Sequence, residues 1–116
     1  MNRFIARSVF AAAACGACAV APVPNDRLAA AQVSYRGAYE AGAEGVPQAK
    51  LHLSYADQGI AQAKKLIAEN RNVEAGRALD RARADAELAV GLARESQAET
   101  EAQQATEQTA ALRAKP

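Results

Sequence analysis

The chain contains no tryptophan, two phenylalanines, three tyrosines and one methionine in 116 residues. A thick aromatic core enclosing a deep ligand pocket is therefore not expected. Histidine occurs once, as His52, and cysteine twice, as Cys15 and Cys18. With a single histidine and both cysteines confined to the N-terminal stretch, neither a catalytic triad nor a Cys-His dyad can be assembled. Charge of one sign is also missing, since the formal net charge is +1. With Arg3 and Arg7 of the N-terminal stretch set aside, twelve basic side chains face thirteen acidic ones. No basic stripe of the kind that follows a nucleic-acid backbone remains, so no nucleic-acid partner is expected.

What the chain has is alanine. Half of its residues are hydrophobic, and most of that half carries a single methyl group. Burial worth about 25 cal/mol per Å² yields little per alanine, and a chain of this length is one small domain at most. Long helices packed closely through small residues are the expected solution.

Residues 1–21 read MNRFIARSVFAAAACGACAVA. Arg3 and Arg7 form a positive start, a short apolar stretch follows over 8–14, and small residues come next, which is the anatomy of a secretory signal. The apolar part is far shorter than the roughly 20 residues that span a bilayer. The C-x-x-C pair lies inside this leader, which argues against a disulfide, redox or metal role for it. Instead the arrangement resembles a lipobox, in which small residues precede an acylated cysteine that becomes residue one of the mature protein. Cys18, preceded by Gly16 and Ala17, is the first choice for lipidation, and Cys15, preceded by three alanines, is the second. Ordinary cleavage after Ala17-Cys18-Ala19 is the other route, and it would release a soluble periplasmic protein. No Asp follows Cys18, and this resembles the sorting pattern of lipoproteins delivered to the outer membrane.

On this basis residues 1–17 are a lipoprotein signal peptide, and 18–25 are the lipidated cysteine with a short tether stiffened by Pro22 and Pro24. Asn25 is expected to cap the first helix, with Asp26 in its first turn. That helix runs from about Asp26 to Glu40, with Leu28, Ala31, Tyr35, Ala38 and Tyr39 as its buried stripe. Glycines at 42 and 45 break it, and Pro47 suits the first turn of a second helix. The second helix covers about Pro47 to Glu69, where Leu53, Ala56, Ile60, Ala63 and Ile67 recur at spacings of 3, 4, 3 and 4. Leu51, Tyr55 and Leu66 are expected to widen that stripe. Asn70-Arg71-Asn72 is a polar turn of the length that joins antiparallel helices.

The third helix begins near Val73, with Ala75, Leu79, Ala82, Ala86, Ala89 and Ala93 at spacings of 4, 3, 4, 3 and 4. Leu88 and Leu92 lie on a neighbouring face that would meet the first helix. The expected fold is all-α, an antiparallel helical hairpin or three-helix arrangement with a long C-terminal helix, and its helical domain is 26–94. The seam can close within one hairpin or between chains, and the sequence does not choose. Residues 95–116 are rich in Glu, Gln, Ala and Thr, and form a projecting polar helix, a frayed tail or a segment that orders on a partner.

Taken in order, a lipobox cysteine, a Pro-containing tether, an alanine-rich helix, a Gly-Ala turn with a proline, an evenly spaced alanine helix, a polar turn and the stretch Arg81-Ala82-Arg83-Ala84-Asp85-Ala86-Glu87-Leu88-Ala89 form a pattern. It resembles the domain of unknown function 4398 family, small alanine-rich helical lipoproteins of the bacterial envelope, over residues 18–94. Here Asn70-Arg71-Asn72 stands where that family more usually has a Gly-Asp-like turn. The resemblance implies an envelope protein and brings no activity with it.

The remaining polar residues read as structural. His52 has no partner at metal-ligand spacing, since Asp57 is five residues away. The carboxylates Asp80 and Asp85, and Glu99 and Glu101, are interspersed with arginine as on solvated helix faces. Gly42-Ala43-Glu44-Gly45 is too short to cradle a phosphate. Tyr35, Tyr39 and Tyr55 are expected to pack together where the first two helices meet. No catalytic, cofactor or metal residue is therefore assigned. The expectation is a non-enzymatic, exported protein on the periplasmic face of the envelope, held to the membrane through a lipid anchor. Its expected partner is another envelope protein or a peptidoglycan-associated component. A soluble periplasmic binding or chaperone-like protein is the alternative.

Overall fold

The computed structural model describes residues 21–115, and the leader with Cys15 and Cys18 lies outside them. Three helices carry almost the whole described chain: α1 (Asn25–Glu40), α2 (Pro47–Ala68) and α3 (Asn72–Arg113), with a 3₁₀ turn at Ala43–Gly45. There is no strand among the described residues.

Local chemistry sets each boundary. Asn25 is the first helical residue and not a cap, because the chain enters through Pro24 and the Pro24 carbonyl already accepts the Leu28 N–H at 3.0 Å. At the other end of α1, Gly42 adopts a left-handed φ of 81° and donates to the Tyr39 carbonyl at 3.0 Å. Val46 is extended, as the residue before a proline must be, and Pro47 opens α2 where its missing N–H costs nothing. Asn70 terminates α2 with a left-handed φ of 59°, while Arg71 donates to Leu66 at 2.9 Å and Asn70 to Ile67 at 3.0 Å. Those two bonds are the paired signature of a Schellman cap, so Asn70 occupies the position glycine usually takes.

The three helices run up, down and up. Arg27 near the start of α1 bonds Asp80 near the start of α3 at 2.8 Å, and Gln97 reaches the Ala41 carbonyl just past the end of α1 at 3.2 Å. α1 and α3 are therefore parallel, and α2 returns antiparallel between their ends. Its principal interface is with α3, and α1 leans mainly on α3 as well.

The seam is built from small residues, as the periodicity predicts. Leu53, Ala56, Ile60 and Ala63 of α2 are buried against Ala75, Leu79, Ala82, Ala86, Ala89 and Ala93 of α3. Leu79 is the largest side chain that is fully buried. The backbones approach so closely at Gly59 that an added Cβ would lie 2.8 Å from that of Ala82. One cluster gathers around Ala31, Ile60, Leu66 and Leu79, and a second around Ala38, Ala49, Leu53 and Ala89.

Several expected core positions lie elsewhere. Leu66 is buried in the first cluster, as expected, whereas Ile67 is only half-buried and packs against the outside of that cluster. Leu51 and Tyr55 are exposed, on the α2 face turned away from α1. Tyr39 is 56% exposed, since α1 contributes only Ala31 and Ala38 as fully buried residues. Leu88 is also exposed, and Leu92 only borders the second cluster. At 100° per residue Leu88 falls on the outer face of α3, roughly midway between the Asp85 flank that meets α2 and the Asp80 flank that meets α1, and Leu92 lies on the Asp85 side of it.

Candidate functional site at the tether end of the bundle

The described chain begins at the foot of the bundle, where α1 and α3 start and α2 ends. Asn72, the first residue of α3, donates its side-chain amide to the Ala21 carbonyl at 2.6 Å. The Asn72 side chain is buried, with 7% exposure, and its Oδ1 has no hydrogen-bond partner. Around it residues 21–24 and the first turns of α1 and α3 frame an open groove of about 590 Å³ lined by Arg27, Val73, Gly76 and Arg77. Arg27 crosses this groove to Asp80, and a Cβ at Gly76 would lie 3.0 Å from its guanidinium. Gly76 thus leaves room for the arginine that ties α1 to α3.

Arg71 sits in the turn beside this foot. It bonds Glu69 at 3.2 Å and also Glu74, and these two carboxylates hold its guanidinium above the ordinary arginine value. The neighbouring groove between α2 and α3 is lined by Gln62, Leu66, Arg77 and Arg81. Cys18, first choice for lipidation, and Cys15, second choice, lie outside the described residues. The nearest described residue is Ala21, three positions after Cys18.

In the second turn of α2, His52 donates its Nδ1–H to Asp85 Oδ1 at 2.9 Å. Tyr55 stands edge-on to the imidazole, with ring centroids 5.8 Å apart. His52 is therefore a seam-flanking residue with a carboxylate partner on α3, a pairing between residues 33 apart that the sequence spacing does not reveal. Asp80 is an exposed carboxylate paired with Arg27, as expected of a solvated helix face, whereas Asp85 is half-buried beside His52. No group of three potential metal ligands occurs among the described residues. Tyr35, Tyr39 and Tyr55 do not cluster: Tyr55 turns toward His52, Tyr39 is exposed, and only Tyr35 packs on the core. Burial raises the Tyr35 phenol above its ordinary value, with further pushes from Asp57, Glu44 and Tyr39.

At the opposite end, α3 outruns its neighbours. Ala93 is its last buried residue, Gln97 makes its last tertiary hydrogen bond, and residues 98–113 continue as helix with every position exposed. Thr100, Thr106 and Thr109 turn their hydroxyls back to the carbonyls four residues earlier. The polar segment is thus a projecting helix. No described helix is long and apolar enough to cross a membrane.

Compared with known proteins, the chain matches no family model, no curated protein and no solved structure.

Proposed function

We propose that the chain is a non-enzymatic lipoprotein of the bacterial cell envelope, acylated at Cys18, whose bundle is a spacer that presents a polar helix away from the membrane. The observation that carries this reading is the polarity of the fold. Asn72 holds Ala21 at the foot, while the uncovered part of α3 leaves from the other end. Three residues of extended chain reach about 11 Å at most, so acyl chains on Cys18 would lie close beneath the foot. From there α3 rises about 63 Å over its 42 residues at 1.5 Å each. Its exposed segment 98–113 supplies the last roughly 24 Å. The core of small residues suits a rod more than a container for a substrate.

The lipobox-like leader and the Pro-containing segment after it support the same reading, and kinship with the domain of unknown function 4398 family is part of what is proposed. Outer-membrane placement, and a partner that is another envelope protein or a peptidoglycan-associated component, belong to this proposal. The test is the intact mass of the mature protein from its own cells, with peptide mapping of its N-terminus. A diacylglyceryl and an acyl adduct on Cys18 are expected. An unmodified start near Val20 would overturn the anchor and favour the soluble periplasmic alternative.

A further inference from the structure

Folding sorts the charges along the rod. The lower half of the bundle, residues 21–31 and 61–83, carries seven basic and four acidic side chains. The upper half, 32–60 and 84–97, carries three basic and six acidic ones. Neither number is apparent in the linear sequence, because the basic residues come from three separate helices brought side by side.

The lower acids are also largely spent. Asp80 is taken by Arg27, and Glu69 and Glu74 by Arg71, which leaves Asp26 as the one lower acid without an ion pair among the described residues. Lys64, Lys65, Arg77 and Arg81 make no ion pair among the described residues. Lys64 and Lys65 lie within about 6 Å of the lower end of α2, and Arg77 and Arg81 within about 14 Å of the start of α3. Long flexible stems allow all four heads to reach downward. Two helix N-termini and one C-terminus meet at this end, so the backbone dipoles add to the positive side.

We infer that this basic collar docks the foot of the bundle on an anionic lipid surface, with Lys64, Lys65, Arg77 and Arg81 facing headgroup phosphates and the acidic upper half held away. The inference deepens the anchor reading, because the collar surrounds the place where the tether is held, but it needs no acyl chain to act. A lipid anchor alone leaves the bundle free to lie flat; the charge separation stands it upright. The attraction is confined to about a Debye length, 8–10 Å at moderate salt, so it operates at the foot and not at the tip.

The test uses the full chain with Cys15→Ser and Cys18→Ser, which removes acylation and leaves one introduced thiol for an environment-sensitive dye. In one variant the thiol replaces exposed Val73 at the foot, and in the other exposed Gln48 at the upper end. Vesicles of equal parts phosphatidylglycerol and phosphatidylcholine should shift the emission of the dye at 73 and not at 48. High salt, or vesicles of phosphatidylcholine alone, should abolish the shift. Arg77→Gln with Arg81→Gln should lower the partition coefficient about fivefold for each cation removed. Arg3 and Arg7 are present in every chain compared, so that difference belongs to the collar.

An equal shift at both sites, no shift at 73, or unchanged partitioning of the double variant would overturn the inference. A response at 73 to soluble polyphosphate but not to vesicles would also overturn it and assign the collar to an acidic polymer. Because the tested chain cannot be acylated, failure here leaves the anchor standing, and an unacylated mature protein would leave the collar standing.

Discussion

Asn72 Nδ2 lies 2.6 Å from the Ala21 carbonyl oxygen, a contact between residues 51 apart that fastens the tether to the first turn of α3. The same side chain buries an oxygen with no partner. A net hydrogen bond contributes about 1 kcal/mol, and an orphaned buried acceptor costs about 1–3 kcal/mol. These oppose each other, so the role of Asn72 is positional.

Asn72→Ala should accordingly leave unfolding stability unchanged or raise it by up to about 2 kcal/mol, while releasing residues 21–24. Urea denaturation reads the first effect. The heteronuclear NOE of the Val23 amide reads the second and should fall clearly below that of the helices.

Gly59 and Gly91 should respond to alanine with opposite signs. Both are interior helix positions, where alanine is favoured over glycine by about 1 kcal/mol. At Gly91 no atom lies within 4 Å of the new Cβ, so the full gain should appear. At Gly59 the Cβ would meet that of Ala82 at 2.8 Å, and overpacking of this kind costs about 1–3 kcal/mol. Thermal unfolding of the two variants should show Gly91→Ala above and Gly59→Ala below the parent.

The raised Tyr35 phenol carries a pH dependence. Burial favours its neutral form in the folded state, and the carboxylates of Asp57 and Glu44 oppose the phenolate further. A group whose folded value is raised stabilises fully below its unfolded value and loses that contribution as pH climbs through the folded one. Stability should therefore fall as pH rises beyond about 10, the ordinary tyrosine value. In Tyr35→Phe that alkaline decline should be shallower. Absorbance at 295 nm should show phenolate still forming above the ordinary tyrosine value in the parent, and the variant should lack that late step.

The α2–α3 seam was legible in the sequence because two buried faces of nearly equal length repeat at 3 and 4. All six expected positions of α3, from Ala75 to Ala93, are buried. α1 was less legible, since its core contact rests on two alanines and its aromatic residues are shared between core and solvent. Tyr39, Leu51, Tyr55 and Leu88 read as core by size and are exposed. With so narrow a seam, a large side chain one position off the stripe faces water. The Schellman cap was hidden because Asn70 stands where glycine would have signalled it. The foot was not legible at all. Asn72 with Ala21, Arg27 with Asp80 and the basic collar are contacts between distant segments, and no local spacing encodes them.

The unbroken course of α3 from the foot of the bundle to the exposed tip underlies the proposed spacer, and an electron–electron distance measurement tests it most directly. Spin labels at Val73→Cys and Leu112→Cys, with Cys15→Ser and Cys18→Ser in the same full chain, lie 39 residues apart on one helix. An unbroken rod places them about 58 Å apart in a narrow distribution. A broad distribution centred well below that distance would mean that the polar segment folds back or melts, and would contradict the spacer.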